Sequence, residues 1–483
     1  MYTETLKNQW FSNVRGDILA GITVALALIP EAIAFAIIAG VDPMVGLYAS
    51  FCIAVLISIF GGRPGMISAA TGAMALLMVD LVKDHGLEYL LAATILTGII
   101  QFILGILKIG RFITFIPQAV IIGFVNALAI LIFMAQLPHF VGETWMMYAM
   151  VAGSLAIIYI LPRFTKAIPS PLVAIIVMTI LAITLSLDVR TVGDMGAITR
   201  SLPMFDLPNI PLTLETLFII LPYSLPLAFV GIIESLLTAT IVDEMTETKS
   251  DKNREVKGQG FANFVTGFFG GMAGCAMIGQ SVINVRSGGR GRLSSLVAGV
   301  FLLFLIIVLG DIVTQIPMGA LVGVMIMVSI GTFDWTSLRE IAKIPRPDAV
   351  VLIATVAIVV TTHDLAMGVF SGVLLSALFF GWKMAKIKSN EVVKDGIKTY
   401  HIKGQMFFGT MAHFVDLFDY HADPDEIVID FSSSHVWDHS AVTAISKVKQ
   451  KYENINKKVT ITGLNEDSQT IVNQVGLSSS SGH

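Results

Sequence analysis

Fourteen apolar runs fill most of the chain, near residues 17–39, 44–61, 68–82, 88–108, 113–136, 145–162, 168–186, 215–242, 258–274, 279–288, 293–314, 317–332, 348–362 and 364–383. Most are long enough to cross a hydrocarbon layer about 30 Å thick as a helix. Inside that layer each backbone N–H and C=O must find a partner within the protein, which leaves helices as the reading for runs of this length. Only 14% of the residues are charged, against about 25% in a soluble domain, and mean hydropathy is +0.79. The chain therefore reads as a polytopic α-helical membrane protein.

An even number of crossings puts both ends of the membrane domain on one side, and charge identifies the side. With the N-terminus inside, the inner segments hold twenty Lys and Arg, from Lys7 and Arg15 to Lys386 and Lys388, and the outer ones three: Lys83, Arg190 and Arg200. That asymmetry fits a cell inner membrane with both termini cytoplasmic, and one missed helix would scramble it. The net charge of −4 says little beside this sorting, and no nucleic-acid partner is expected; lipid is the expected surround. The polar start through Arg15-Gly16-Asp17 leads into a spanning run, so no cleavable leader is expected. The two cysteines, Cys52 and Cys275, fall in apolar runs and read as reduced packing residues.

A repeat divides the runs. Leu96, Ile106, Gly110, Thr114, Ile116, Pro117, Gly123 and Ile130 align with Leu296, Ile306, Gly310, Thr314, Ile316, Pro317, Gly323 and Ile330 at a constant offset of 200. The shared Gly-x3-Thr-x-Ile-Pro-x5-Gly relates segments four and five to eleven and twelve. The halves are then seven segments each, about 16–186 and 215–383, and an odd number per half makes the repeat inverted.

The same division pairs two interrupted runs, segments three and ten. Gly270-Gly271-Met272-Ala273-Gly274-Cys275-Ala276-Met277-Ile278-Gly279 reads as irregular backbone, with a short helix resuming at Ser281. Its mate, Ser68-Ala69-Ala70-Thr71-Gly72-Ala73, follows Gly61-Gly62-Arg63-Pro64-Gly65. Interrupted segments in matching positions of two halves point to a transporter's binding site. Their half-helices direct free N–H groups and partial positive charge at whatever lies between them, which suits an anion. The other reading is a pair of glycine-rich packing faces. On the first reading the substrate contacts are Thr71, Gly72, Ala73, Gly279, Gln280 and Ser281. The hydroxyls of Thr71 and Ser281 serve equally well as helix caps.

Glu234 is the most informative single residue. It lies nine residues from Asp243, about 14 Å deep at 1.5 Å per residue, and an ionisable group there is functional by default. A carboxyl in such surroundings can carry a proton or, ionised, ligate a cation. Thr238 follows one turn later on the same face. Glu31 follows Pro30 in segment one, the mate of segment eight, where the proline removes a backbone donor and can turn the carboxylate toward the same cavity. A structural ion pair for Glu234 and an interfacial place for Glu31 are the alternatives.

Beyond Lys388 the composition changes. Strands near 400–408, 426–431 and 458–463 alternate with helices near 412–421, 440–452 and 468–475, which makes a small α/β domain over 389–477 beside the membrane domain 1–388. The last residues, 478–483, read as a disordered tail.

Ile29-Pro30-Glu31-Ala32-Ile33-Ala34-Phe35-Ala36, the Thr71-Gly72 stretch, Asn284-Val285-Arg286-Ser287-Gly288-Gly289-Arg290 and the C-terminal α/β domain together resemble the SulP anion transporters. The resemblance covers essentially the whole chain. It implies a uracil-permease-like fold with core and gate domains, a homodimer, a C-terminal STAS domain and a small anion as substrate. It also implies, through Asp438-His439-Ser440-Ala441, a turn whose serine is phosphorylated in bacterial regulatory relatives; that residue would be Ser440, which can equally cap its helix. Departures are Glu31 where members usually have glutamine, and Gln280 where animal members have arginine. Sodium-coupled bicarbonate members have aspartate in place of Glu234 and a polar residue near Ile278.

These readings converge on a secondary active transporter of sulfate, bicarbonate or a dicarboxylate. It would need no cofactor or metal beyond a coupling H+ or Na+. A sodium site would use Glu234 and Thr238. A proton needs Glu234 alone, and is favoured because segment ten offers no acidic or hydroxyl side chain from Gly274 to Gln280. A passive anion channel or exchanger is the alternative, and a nucleobase permease a more distant one. An enzyme is not expected, since the sequence shows no nucleophile–base pair.

Overall fold

A computed structural model of the chain describes residues 2–111, 116–165 and 168–476. Lys166, the Thr114 of the repeat motif and the tail 478–483 lie outside the described residues. The chain divides into two compact units, Met1–Val373 and Leu374–His483.

The first unit is helical. Its elements are α1 (Tyr2–Phe11), α2 (Val14–Ala39), α3 (Pro43–Phe60), β1 (Ser68–Ala70), α4 (Gly72–His85), α5 (Leu87–Ile106), α6 (Gln118–Gln136), α7 (Trp145–Ile160), α8 (Ser170–Thr184), α9 (Leu214–Thr246) and α10 (Lys252–Phe268). There follow β2 (Gly274–Ala276), α11 (Ile278–Arg286), α12 (Arg292–Val313), α13 (Met318–Thr332), α14 (Trp335–Glu340), α15 (Arg346–Thr362) and α16 (Leu365–Met384), a helix that continues past Val373 into the second unit. Each predicted apolar segment corresponds to a helix, and segments three and ten to a short strand followed by a helix. Among the described residues, eight helices are long and apolar enough to cross a membrane.

Packing repeats with the halves exchanged. α5 lies on α10 and its counterpart α12 lies on α3; α2 lies on α12 as α9 does on α5; α6 lies on α15 as α13 does on α7. Helices α2–α5 and α9–α12 thus form one group, the core, and α6–α8 with α13, α15 and α16 the other, the gate. Near the axis relating the halves, the Ser329 hydroxyl donates to the carbonyl of its repeat mate Ala129 at 2.7 Å. α5 and α10 meet backbone to backbone at two glycines. A Cβ on Gly98 would stand 2.2 Å from the Phe264 nitrogen, and one on Gly260 would stand 2.4 Å from the Phe102 nitrogen.

One end of the core is fastened by buried charges on backbone groups. Glu255 accepts from the Gly62 and Arg63 amides at 2.7 and 3.0 Å. Asp17 accepts from the Arg290 and Gly291 amides at 2.7 and 3.0 Å. Buried Arg292 donates to the Ser58 and Gly61 carbonyls at the C-terminal end of α3, at 3.0 and 2.8 Å. These are the loop and helix-end groups that have no partner in their own helix.

The second unit carries a four-stranded sheet, β3 (Lys388–Lys394), β4 (Ile397–Met406), β5 (Glu426–Val436) and β6 (Lys458–Thr462), in that order. β3 pairs antiparallel with β4 through the Asp395-Gly396 turn, and β4–β5 and β5–β6 are parallel. The helices are α17 (Met411–Val415), α18 (His439–Glu453) and α19 (Glu466–Val475). The predicted helix over 412–421 is cut to the short α17. Beyond it the chain turns so that buried Asp423 accepts from Lys398 Nζ at 2.7 Å, from the Tyr400 hydroxyl at 2.8 Å and, through a short bond, from the Tyr452 hydroxyl. Burial alone would push the Asp423 carboxyl up; the bonds from Lys398, Tyr452 and Tyr400 outweigh it and hold it below its ordinary value.

Two outcomes follow. Gly98→Val should lower the stability of the membrane unit by about 3 kcal/mol or more, the upper end for overpacking, read as a drop in thermal midpoint in detergent. Asp423→Asn should cost about 3 kcal/mol, as when a buried pair loses one partner, read as faster amide exchange in β4 and β5. Because the folded carboxyl titrates below its unfolded value, its contribution is complete above the unfolded value and fades as pH falls through the folded one.

Candidate functional site between the half-helices

The strand preceding each half-helix decides where the helix begins. β1 and β2 pair antiparallel, Ser68 opposite Ala276, Ala69 opposite Cys275 and Ala70 opposite Gly274. The approach is so close that a Cβ on Gly274 would stand 2.1 Å from the Ala69 carbonyl oxygen. Backbone groups left over are taken by buried side chains. Asn263 accepts from the Gly274 amide at 2.9 Å and donates to its carbonyl at 3.0 Å. Ser235 accepts from the Ala276 amide at 3.1 Å, and Ser281 accepts from the Ile67 amide at 3.0 Å. Irregular backbone in an apolar setting is stable under just these conditions.

From this ribbon α4 and α11 leave in opposite directions, their N-termini facing a common cavity of about 490 Å³. Thr71 is the N-cap of α4 and its Oγ1 accepts from the Met74 amide at 3.4 Å. The N-cap of α11 is Met277, whose side chain caps nothing. The helix starts at Ile278, three residues before the predicted Ser281, so Gly279 and Gln280 belong to its first turn.

Thr71, Gly72, Gly279 and Gln280 line the cavity, as do Glu31 from α2 and Glu234 from α9. The Gln280 amide lies against the Glu31 carboxylate, and its Oε1 is buried without a hydrogen-bond partner. The Glu234 carboxylate accepts from the Cys275 thiol at 2.8 Å, and Cys275 Sγ is 3.1 Å from Thr71 Oγ1. Three of the predicted residues stand back. Ala73 is buried behind the wall, Ser281 is occupied by the β1 backbone, and the Thr238 hydroxyl donates to the Glu234 carbonyl of its own helix at 2.7 Å. Ser440, in the other unit, is the second residue of α18, whose cap is Asp438, accepting from the Ala441 amide at 2.8 Å. A larger cavity of about 800 Å³ near Asp80, His139 and Tyr223 is reached by neither half-helix N-terminus.

The sequence reading missed two groups here. Phe124 and Leu128 of α6 and Val324 and Val328 of α13 form the opposite, apolar wall; their signal was the repeat motif at the head of those same helices. Cys275, read as packing, joins Glu234 to Thr71. Among the described residues, no lysine, arginine or histidine lines the cavity. Its positive potential therefore comes from two helix ends, about half an elementary charge each.

The chain matches the model of the sulfate permease family over residues 14–149 and 143–355, and that of the STAS domain over 389–481. It belongs to the sulfate permease family. YbaR of Bacillus subtilis, which carries the provisional name of a sulfate transporter, is 64% identical over 98% of this chain and 99% of its own length. The bicarbonate transporter BicA of Picosynechococcus is 29% identical over 79% of this chain and 73% of its own. Among solved structures, the transmembrane domain of a cyanobacterial BicA aligns at a TM-score of 0.67 and 27% identity, covering 76% of this chain and 98% of that one. SLC26A9 aligns at a TM-score of 0.85 and 17% identity over 99% and 88%, which shows the fold. This member of the sulfate permease family is thus an anion-transporting multi-pass membrane protein with a C-terminal STAS domain.

A Cβ added to Gly279 meets nothing within 4 Å, so a larger side chain there enters the cavity without disturbing the wall. Gly279→Val should leave stability, followed by the thermal midpoint, within about 1 kcal/mol of wild type and reduce anion uptake into proteoliposomes by at least about tenfold, the discrimination that a few misplaced methyl groups achieve in a pocket.

Proposed function

We propose that this protein is a secondary active symporter that moves one small anion of the sulfate, hydrogencarbonate or dicarboxylate class together with a proton held on Glu234. The observation that carries the reading is the charge content of the cavity. Two carboxylates, Glu31 and Glu234, face it, and no basic side chain among the described residues does.

An anion seated at the half-helix N-termini feels their partial charges and, against them, each ionised carboxylate. At separations of roughly 5–8 Å and an effective dielectric of about 20, one such repulsion is about 2–3 kcal/mol. Protonating Glu234 removes it, so proton and anion favour each other's binding by a comparable amount, and linkage makes the effect reciprocal. Such coupling needs one carboxyl and no ligand cage. Thr238 gives its hydroxyl to a backbone carbonyl of α9, which favours the proton over a sodium ion at this position. The charge asymmetry of the sequence supports a plasma-membrane orientation with both termini inside. The names carried by YbaR and BicA support sulfate and hydrogencarbonate as the first anions to test.

The test is uptake of labelled sulfate and hydrogencarbonate into proteoliposomes under an imposed proton or sodium gradient. Wild type should accumulate its anion under the proton gradient, by up to about tenfold per pH unit for one proton per anion. Glu234→Gln should abolish that accumulation while anion exchange stays measurable. Uptake that follows a sodium gradient and ignores a proton gradient would overturn the proton assignment.

A further inference from the structure

We propose that Cys275 is a positioning residue that transmits the protonation of Glu234 to the anion cradle, through a hydrogen-bond relay Glu234–Cys275–Thr71 whose direction reverses when the proton binds. The inference rests on the reading of Glu234 as the proton carrier and extends it to how the proton is felt by the anion.

The geometry is a continuous chain of three side chains. Glu234 Oε2 and Cys275 Sγ are 2.8 Å apart, and Cys275 Sγ and Thr71 Oγ1 are 3.1 Å apart. Cys275 is fully buried, Thr71 is 3% exposed and Glu234 8%, so no water competes for the middle link. Both ends of the chain line the cavity while the middle does not. A thiol and a hydroxyl each donate once and accept as well, so the chain has two self-consistent polarities.

With Glu234 ionised, its carboxylate can only accept. The Cys275 S–H donates to it, the sulfur accepts from the Thr71 O–H, and the Thr71 proton points away from the cavity. With Glu234 protonated, the carboxyl O–H donates to the Cys275 sulfur and the Cys275 S–H donates to Thr71 Oγ1. The Thr71 O–H is then released to donate into the cavity, beside the free amides of the first turn of α4. Thr71 Oγ1 has lone pairs for both Cys275 and the Met74 amide, so the cap survives either way. Each group keeps its own proton; the only one gained is that on Glu234. Proton binding thus both removes a negative charge and adds one donor for the anion.

An independent feature shows that the cavity is built for a polar occupant. Gln280 is 2% exposed, lines the cavity, and keeps its Oε1 without a partner. A buried amide oxygen left unpaired is costly, and an occupant carrying a proton at that end would satisfy it. The other titratable groups near the relay are few. Glu31 faces Glu234 across the cavity from α2. On α10, Glu255 is held by the Gly62 and Arg63 amides. α5 presents the neutral Gln101, and the first turns of α4 and α11 present no charged group. Glu234 is therefore the group whose charge the relay can read.

The experiment measures half-saturation for sulfate and for hydrogencarbonate in counterflow exchange with the full chain, at two pH values bracketing neutrality. The readout is the ratio between the two pH values for each anion, whatever the absolute rate. In wild type the ratio should be about ten- to a hundredfold in favour of the acid side, as one hydrogen bond to a charged group provides. Cys275→Ala should reduce it severalfold or more, and Cys275→Ser, which can donate and accept in the same chain, should restore it. Thr71→Val breaks the relay from its other end and should reduce the ratio likewise, which keeps the proposal testable should Cys275→Ala fail to fold. A wild-type ratio in Cys275→Ala or Thr71→Val overturns the relay. If Glu234→Gln still erases the ratio in that event, only the relay falls; if Glu234→Gln also keeps it, the proton assignment falls too.

Discussion

Backbone amides and carbonyls in an apolar interior must be paired within the protein, and here that requirement is met at one antiparallel contact. The three-residue ribbon β1–β2 joins the two repeats where each chain has left its helix. Without it, the amides and carbonyls that face each other across Ser68–Ala70 and Gly274–Ala276 would be left unpaired in the core. With it, two helices start inside the core rather than at a surface. Asn263, Ser235 and Ser281 complete the pairing, and their side chains carry no formal charge. The potential at the cavity is therefore left to the helix ends and to the two carboxylates.

Around that contact the core is rigid by construction. Glycine against glycine brings α5 and α10 to backbone distance, and buried Glu255, Asp17 and Arg292 hold loops and helix ends that would otherwise face solvent alone. The gate contributes apolar side chains, from α6 and α13, to the far wall of the cavity. The carboxylates and helix ends lining the cavity thus lie on one group of helices and an apolar screen on the other. In the proposed transport cycle the anion would travel with the core while the screen is exchanged from one side to the other.

Much of this was legible in the residues because membrane solvent leaves few options. Run length and charge sorting gave the segments, and Gly-x3-Thr-x-Ile-Pro-x5-Gly at an offset of 200 gave the division and hence the pairing of segments three and ten. Other features were hidden for physical reasons. The start of α11 at Ile278 depends on where β2 releases the chain, which is a tertiary event invisible to helix propensity. Cys275 has the composition of a core residue, and only the alternation of a short strand turns it toward Glu234. Thr238 shares a helical face with Glu234, yet its hydroxyl is taken by the carbonyl four residues back, a bond open to any buried helical threonine. In the STAS domain, β3 is almost wholly exposed and so lacks the alternation that marks a strand, although its Asp395-Gly396 turn was in plain view.

The unequal lengths of the two half-helices have an electrical consequence. α11 has 9 residues and α4 has 14, rises of about 14 and 21 Å. The point where they meet lies off-centre, nearer the end marked by Arg286. For a voltage falling evenly along those rises, about three-fifths of it lies on the α4 side, or about 1.4 kcal/mol per charge for each 100 mV. At the proposed site, an anion arriving along α4 would cross more of the field than one arriving along α11. The membrane potential would then weigh on the two half-journeys differently, and a net-charged substrate complex would show it as voltage dependence concentrated on the α4 side.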